Sequence, residues 1–331
     1  MKRSALFICC FILMLLPLKA FAHVKWFHGA EAPQKESLDV VLSPLFITVA
    51  LIAAVILGLL PQLDLSLAKT KPVIRMEARF DGYRKFTFPV LRFGTAVTLL
   101  IQLWTGAVFA PEIEVTDVQM YIGVAAAVLL LVPYGLATQA AAIAIAILFA
   151  VSVTEYGAFH MLDYGFYVAV AIALFLQNTR FRSFGMPFLY LGTGLSLCWV
   201  AVEKWVFPGM SMDIVERYGV PTFGFPAGVF ISISAFIEFV VGYLLVVGVL
   251  NRFLAMILTG IFIMTTTLFG WVEIVGHLMP HIILVLFIIE GTSFYNPPIK
   301  IHKSVIDQIV FVSLNFLFTL CTMILLYYRF A

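Results

Sequence analysis

The feature that most constrains this chain is a succession of about ten apolar runs, most near the ~20 residues that a helix needs to cross a bilayer. Inside lipid no water is available to satisfy backbone N–H and C=O groups, so runs of this kind must be helical. Composition agrees: of 331 residues, 63% are hydrophobic and 11% charged, against about 25% charged in soluble domains. The expectation is an all-α polytopic membrane protein whose partner is the lipid bilayer. A net charge of +2 is too small to point to nucleic acid. Cys9 and Cys10 lie in the leader, and Cys198 and Cys321 in apolar runs, so neither a disulfide framework nor a cysteine zinc site is expected.

Residues 1–22 have a basic start at Lys2 and Arg3, an apolar run, and Ala20-Phe21-Ala22, the pattern of a cleavable signal peptide. Cleavage there would make His23 the first residue. Its α-amine and imidazole can chelate copper together, with His28 as a third ligand. This is similar to the histidine brace of periplasmic copper proteins. The alternative is that His23 is only the cleavage point, with Lys25 and Trp26 anchoring the chain at the interface.

Spans are expected at about 41–60, 90–110, 118–134, 137–154, 164–178, 186–206, 225–249, 253–270, 274–290 and 304–328. Residues 61–88 carry Lys69, Lys71, Arg75, Arg79, Arg84 and Lys85 and read as cytoplasmic by the positive-inside rule. Within them VIRMEARFDGYRKF reads as a helix lying on the membrane surface. The acidic PEIEVTDV and the loop TEYGAFHMLD then fall outside. Ten spans put both mature termini outside, in a bacterial-type inner membrane.

Gly94–Phe109 aligns without gaps with Gly192–Phe207, sharing Gly-Thr at the start, Phe at the end and a following proline. Each copy opens a set of four spans whose last outer turn holds a carboxylate and then a histidine: Glu155 and His160, then Glu273 and His277. Both sets begin inside, so the repeat is parallel. The division is 23–89 (outer segment, first helix and basic loop), 90–185 (first four-helix unit), 186–291 (second unit) and 292–331 (inner loop and last helix).

The runs YLGTGLSLCWVAVEKWVFPG, IEFVVGYLLVVGVLNRFLAM and LFGWVEIVGHL, within about residues 187–291, resemble the DoxX family of small four-helix membrane proteins. The first unit departs from that pattern, with Thr105 and Gly106 where Glu203 and Lys204 stand. The resemblance implies an accessory or quinone-associated subunit of a redox or metal-handling pathway at the external face. Quinone and redox-chain subunits are then the implied partners.

Three sets of ionisable residues stand out, and none assigns a catalytic residue. Glu203 and Lys204 end the sixth span; Glu203 is expected to face the bundle, while Lys204 either joins it or snorkels beside Trp205. Glu238 lies mid-span, where a lone ionised carboxylate is costly, so it pairs, stays protonated or packs helices. With Glu203 and Lys204 it makes the candidate quinone-binding set. Glu273, His277 and His281 recur every four residues and share a helix face. They span about 12 Å, too far to ligate one ion unless Gly276 and Pro280 break the helix. With His23, His28, Glu155 and His160 they are the metal candidates, and a nitrogen-rich set favours copper. A mid-membrane carboxylate in repeated units also fits a small-solute or ion transporter.

Overall fold

The computed structural model describes residues 24–27, 34–291 and 304–331. The signal segment, His23 and His28 lie outside the described residues. The chain is an all-α polytopic membrane protein, helical but for one short hairpin.

We number the helices α1 Pro44–Ala68, α2 Lys71–Asp81, α3 Thr87–Trp104, α4 Asp117–Leu131, α5 Gly135–Tyr156, α6 Phe166–Leu176, α7 Gly185–Val206, α8 Pro208–Arg217, α9 Ala227–Val247, α10 Asn251–Phe269, α11 Trp271–Glu290 and α12 Val305–Phe330. Among the described residues eight are long and apolar enough to span a membrane. Helix α6 and the arm Ala158–Tyr164 before it, bent by 63° at Gly165, make a ninth if the pair is one span. The short α4, 15 residues or about 22 Å, is apolar but shorter than the others. Lys35 Nζ donates to the carbonyl oxygens of Tyr328 and Ala331 (3.1 and 2.6 Å), so the chain ahead of α1 and the end of α12 share one end of the bundle. An even number of crossings must separate them.

Helix α2 has no buried residue and a basic last turn, as expected of a segment on the membrane surface. Its Glu77 pairs with Arg252, whose guanidinium also donates to the carbonyl oxygens of Ile288 and Ile289 (2.7 and 3.1 Å). Those carbonyls end α11, where the helix leaves acceptors without internal donors. We call this the basic end and the opposite one the mouth.

The two sets of four spans do not stand apart as two bundles. Helices α3, α4, α5 and α6 pack in sequence, but α6 also packs on α7, and α3 on α11. The pairs α7–α9 and α10–α11 complete the set, and α1 packs with α12 along the outside of α7 and α9. The closest crossing is α7 on α9. A Cβ on Gly194 would lie 2.5 Å from the Gly242 carbonyl oxygen, and one on Gly242 2.6 Å from that of Gly194. Only glycine lets the backbones approach so far, as at other small-residue helix interfaces in membranes.

Residues 107–110, expected from sequence to end the second span, and 111–114, expected to begin the outer loop, instead form an antiparallel hairpin of Ala107–Val108 with Ala110–Glu114. Phe109 at its turn has φ +66°, unusual for a bulky residue. Gln102 holds it there: its Oε1 accepts from Phe109 N (3.2 Å) and its Nε2 donates to Phe109 O (3.1 Å).

Candidate functional site

The mouth gathers charge from five separate segments. The first is a single 3₁₀ turn, Val24–Trp26. Lys25 Nζ reaches Asp163 Oδ2 at 2.6 Å and Glu203 Oε2 at 3.0 Å. Burial works against the Lys25 ammonium, but the Asp163 and Glu203 charges outweigh it and hold its pKa above the ordinary lysine value. Trp26 Nε1 donates to Tyr164 Oη at 2.9 Å, and the ring covers the backbone of Gly276, where a Cβ would collide with it. Phe27 packs on Phe269 and Tyr218, and its carbonyl accepts from Arg217 of α8 at 3.3 Å.

The remaining segments hold the acceptors. The bend ahead of α6 places Asp163, and Ser196 of α7 fixes that bend. Its Oγ donates to Leu162 O and accepts from Phe166 N, both at 3.2 Å. The hairpin delivers Glu112, which accepts from Tyr164 Oη and lies 3.4 Å from His160 Nε2. On α11, Glu273 and His277 lie one turn apart, with Nδ1 and Oε1 separated by 3.0 Å. Glu273 sits in the first turn, where the helix dipole favours a carboxylate. The His277 ring stacks on Phe262, 4.3 Å between centroids and 18° between planes, and meets Trp26 at 4.8 Å on another side.

Next to Glu203 on α7, Lys204 donates to Glu238. The antiparallel crossing of α7 and α9 brings them face to face, one contact in a series that includes Cys198 Sγ to Phe239 O (3.4 Å) and Trp205 Nε1 to Ser232 O (3.3 Å). Lys204 is 2% exposed. It does not snorkel, and Glu203 does face the bundle.

Between α6, α7, α10 and α11 runs a narrow crevice of about 20 Å³, room for about one water molecule. Phe166, Leu197, Val200, Leu258 and Leu284 form its apolar walls; Asp163, Thr193, Ser196 and His277 supply polar atoms. Thr193 Oγ1 is buried without a hydrogen-bond partner among the described residues.

The metal candidates are only partly brought together. Helix α11 runs unbroken through Gly276 and Pro280, so the break needed for Glu273, His277 and His281 to share an ion is absent. His281 instead meets Phe262 edge-on. Glu155 is exposed and accepts from Gln119 Nε2 at 2.9 Å, while His160 faces Glu112. Among the described residues no three of His, Cys, Asp and Glu are placed to hold a metal ion.

Sequence reasoning missed the central roles of Lys25, Trp26, Glu112 and Tyr164, and saw Asp163 only as a loose neighbour of His160. Lys25 carried one signal: it is a cation among aromatic and apolar residues, in a segment without another charge nearby. No protein-family model, no curated protein and no solved structure matches the chain.

Proposed function

We propose that this is a DoxX-like accessory protein of a quinone-linked redox pathway, acting at the external face of a bacterial-type inner membrane. The observation that carries the reading is the crevice. Its walls are apolar, and His277 and Thr193 offer groups that can donate to a quinone carbonyl. The Thr193 hydroxyl is buried and unpaired among the described residues, a condition that costs about 1–3 kcal/mol and that a bound acceptor would relieve. The donor set fits a quinone head. The crevice's own volume does not hold one, so the walls must part, and α10, which packs closely on α11 and lightly on α9, is the wall that can move.

The chain's part in such a complex is to seat the ring and to supply a charged, proton-holding environment beside it; electrons would come from a partner subunit. In detergent-purified protein, a short-chain quinone should bind and quench tryptophan fluorescence. Binding should be lost in Glu203→Gln or Glu238→Gln and blocked by Leu258→Trp, which fills the crevice. Unchanged binding in all three variants would remove this reading.

A copper-binding role is the second reading. It draws on one observation: Lys25 and Trp26 are docked among Asp163, Glu203 and His277. N-terminal sequencing and copper titration of His23→Ala test it.

A further inference from the structure

At the basic end, away from the mouth, a groove of about 330 Å³ opens between α3, α6 and α7. Its rim carries three cations, Arg84, Lys85 and Arg182, against one carboxylate, Glu290. Glu290 is already engaged: Thr87 Oγ1 donates to it at 2.6 Å and Arg84 Nε lies 3.9 Å away. Arg84 is engaged too, 3.0 Å from Asp81 and donating to Glu290 O at 3.1 Å. Lys85 and Arg182 have no carboxylate partner among the described residues; the Lys85 ammonium rests over the ring of Phe86.

Two further observations say what these cations face. Thr87 and Phe88 are the first residues of α3, and Gly185 and Met186 the first of α7. Two helix N-termini therefore meet the groove with the positive ends of their dipoles, while the Thr87 and Gly185 N–H groups themselves donate to Arg84 O and Arg182 O. The floor beneath is apolar, formed by Phe88, Leu91 and Leu189. A site that is cationic at the rim and apolar below matches a phosphodiester joined to acyl chains.

We propose that this groove binds the headgroup of an anionic phospholipid, with its phosphate between Lys85 and Arg182 and one chain along Phe88 and Leu189. A free phosphate shares the headgroup chemistry but gains nothing from the apolar floor. Basic pockets between helices at the cytoplasmic side are known to hold such lipids. The groove is independent of the quinone reading, since none of its residues lies at the mouth.

The test uses the full chain in mild detergent, titrated with dioleoyl phosphatidylglycerol or dioleoyl phosphatidylcholine and read by native mass spectrometry. Phosphatidylglycerol should be retained in preference to phosphatidylcholine. Lys85→Ala with Arg182→Ala should weaken it on the order of 30-fold and leave the weak phosphatidylcholine binding unchanged. Met186→Trp, which fills the groove with every charge in place, should displace the lipid as well, so a lost cation and a misfolded variant are told apart. Equal retention of both lipids, equal retention by both variants, or displacement by millimolar inorganic phosphate would overturn the proposal.

Discussion

Replacing Lys25 by methionine keeps the length of the side chain and removes the one charge that lies between Asp163 and Glu203. Both carboxylates are nearly inaccessible, at 1% and 3% side-chain exposure, while Lys25 is 18% exposed. Removing one partner of a buried ion pair costs about 3–5 kcal/mol, because the other charge stays behind without compensation. Partial exposure of Lys25 puts the expectation at the lower end, about 3 kcal/mol. The segment has another way out. Among the described residues its other tethers include Trp26, Phe27 and the Arg217 contact; when the cost exceeds what those contribute, residues 24–27 leave the mouth and water reaches the carboxylates. Lys25→Met is therefore expected to lower the thermal unfolding temperature in detergent and to open the chain around residues 24–36 to protease. The loss should be smaller at pH 5 than at pH 8. The folded variant would hold protons on carboxylates that the unfolded chain has already released, so its stability rises as pH falls. Adding Asp163→Asn and Glu203→Gln to Lys25→Met removes the uncompensated charge and should recover most of the stability. A Lys25→Met protein as stable and as protected as the parent, or one that the two added substitutions fail to rescue, would refute the account of the mouth given above.

Gly194→Ala is expected to cost about 3 kcal/mol, the upper part of the overpacking range, because the added carbon meets backbone that cannot move aside; Gly260→Ala, with open space around it, should be neutral or slightly stabilising in the same unfolding assay. Gln102→Leu leaves the buried N–H and C=O of Phe109 without partners, and at about 1–3 kcal/mol per group should cost 2 kcal/mol or more and expose the hairpin to protease.

Residues that sequence reasoning placed well are those whose environment is set locally. The eight long apolar helices follow from run length alone. The surface helix Lys71–Asp81 follows from its alternation of basic and apolar residues, and the inward turn of Glu203 from the cost of facing lipid. The residues it misplaced are those whose partner is far along the chain. Lys25 and Asp163 are 138 positions apart, and nothing in either neighbourhood names the other. The hairpin is a similar case. PEIEVTDV is acidic and reads as outer loop, yet its Ile113 is fully buried, because Gln102 of α3 supplies the turn at Phe109 with hydrogen bonds and folds the strand back. The repeat carried no information on how its two units pack: α3 packs on α11 and α6 on α7, contacts that no internal alignment encodes.

The two ends of the bundle handle buried charge in opposite ways, and that difference bears on function. At the basic end Arg252 is matched by Glu77 and two backbone carbonyls. At the mouth the signs of the inward-facing groups do not balance: Asp163, Glu203 and Glu273, which are buried, and Glu112 and Glu238, which are half-buried, face Lys25 and Lys204, with His160 and His277 beside them. Three buried and two half-buried carboxylates against two ammonium groups leave a surplus of negative charge in a medium that screens poorly. That surplus must be offset by protons or by a cation from outside. Quinone reduction consumes protons along with electrons, and quinol oxidation releases them, so a site beside the crevice that must already share protons among several groups suits that chemistry. A purely structural mouth would gain nothing from the imbalance, since apolar residues of similar volume would pack there at lower cost.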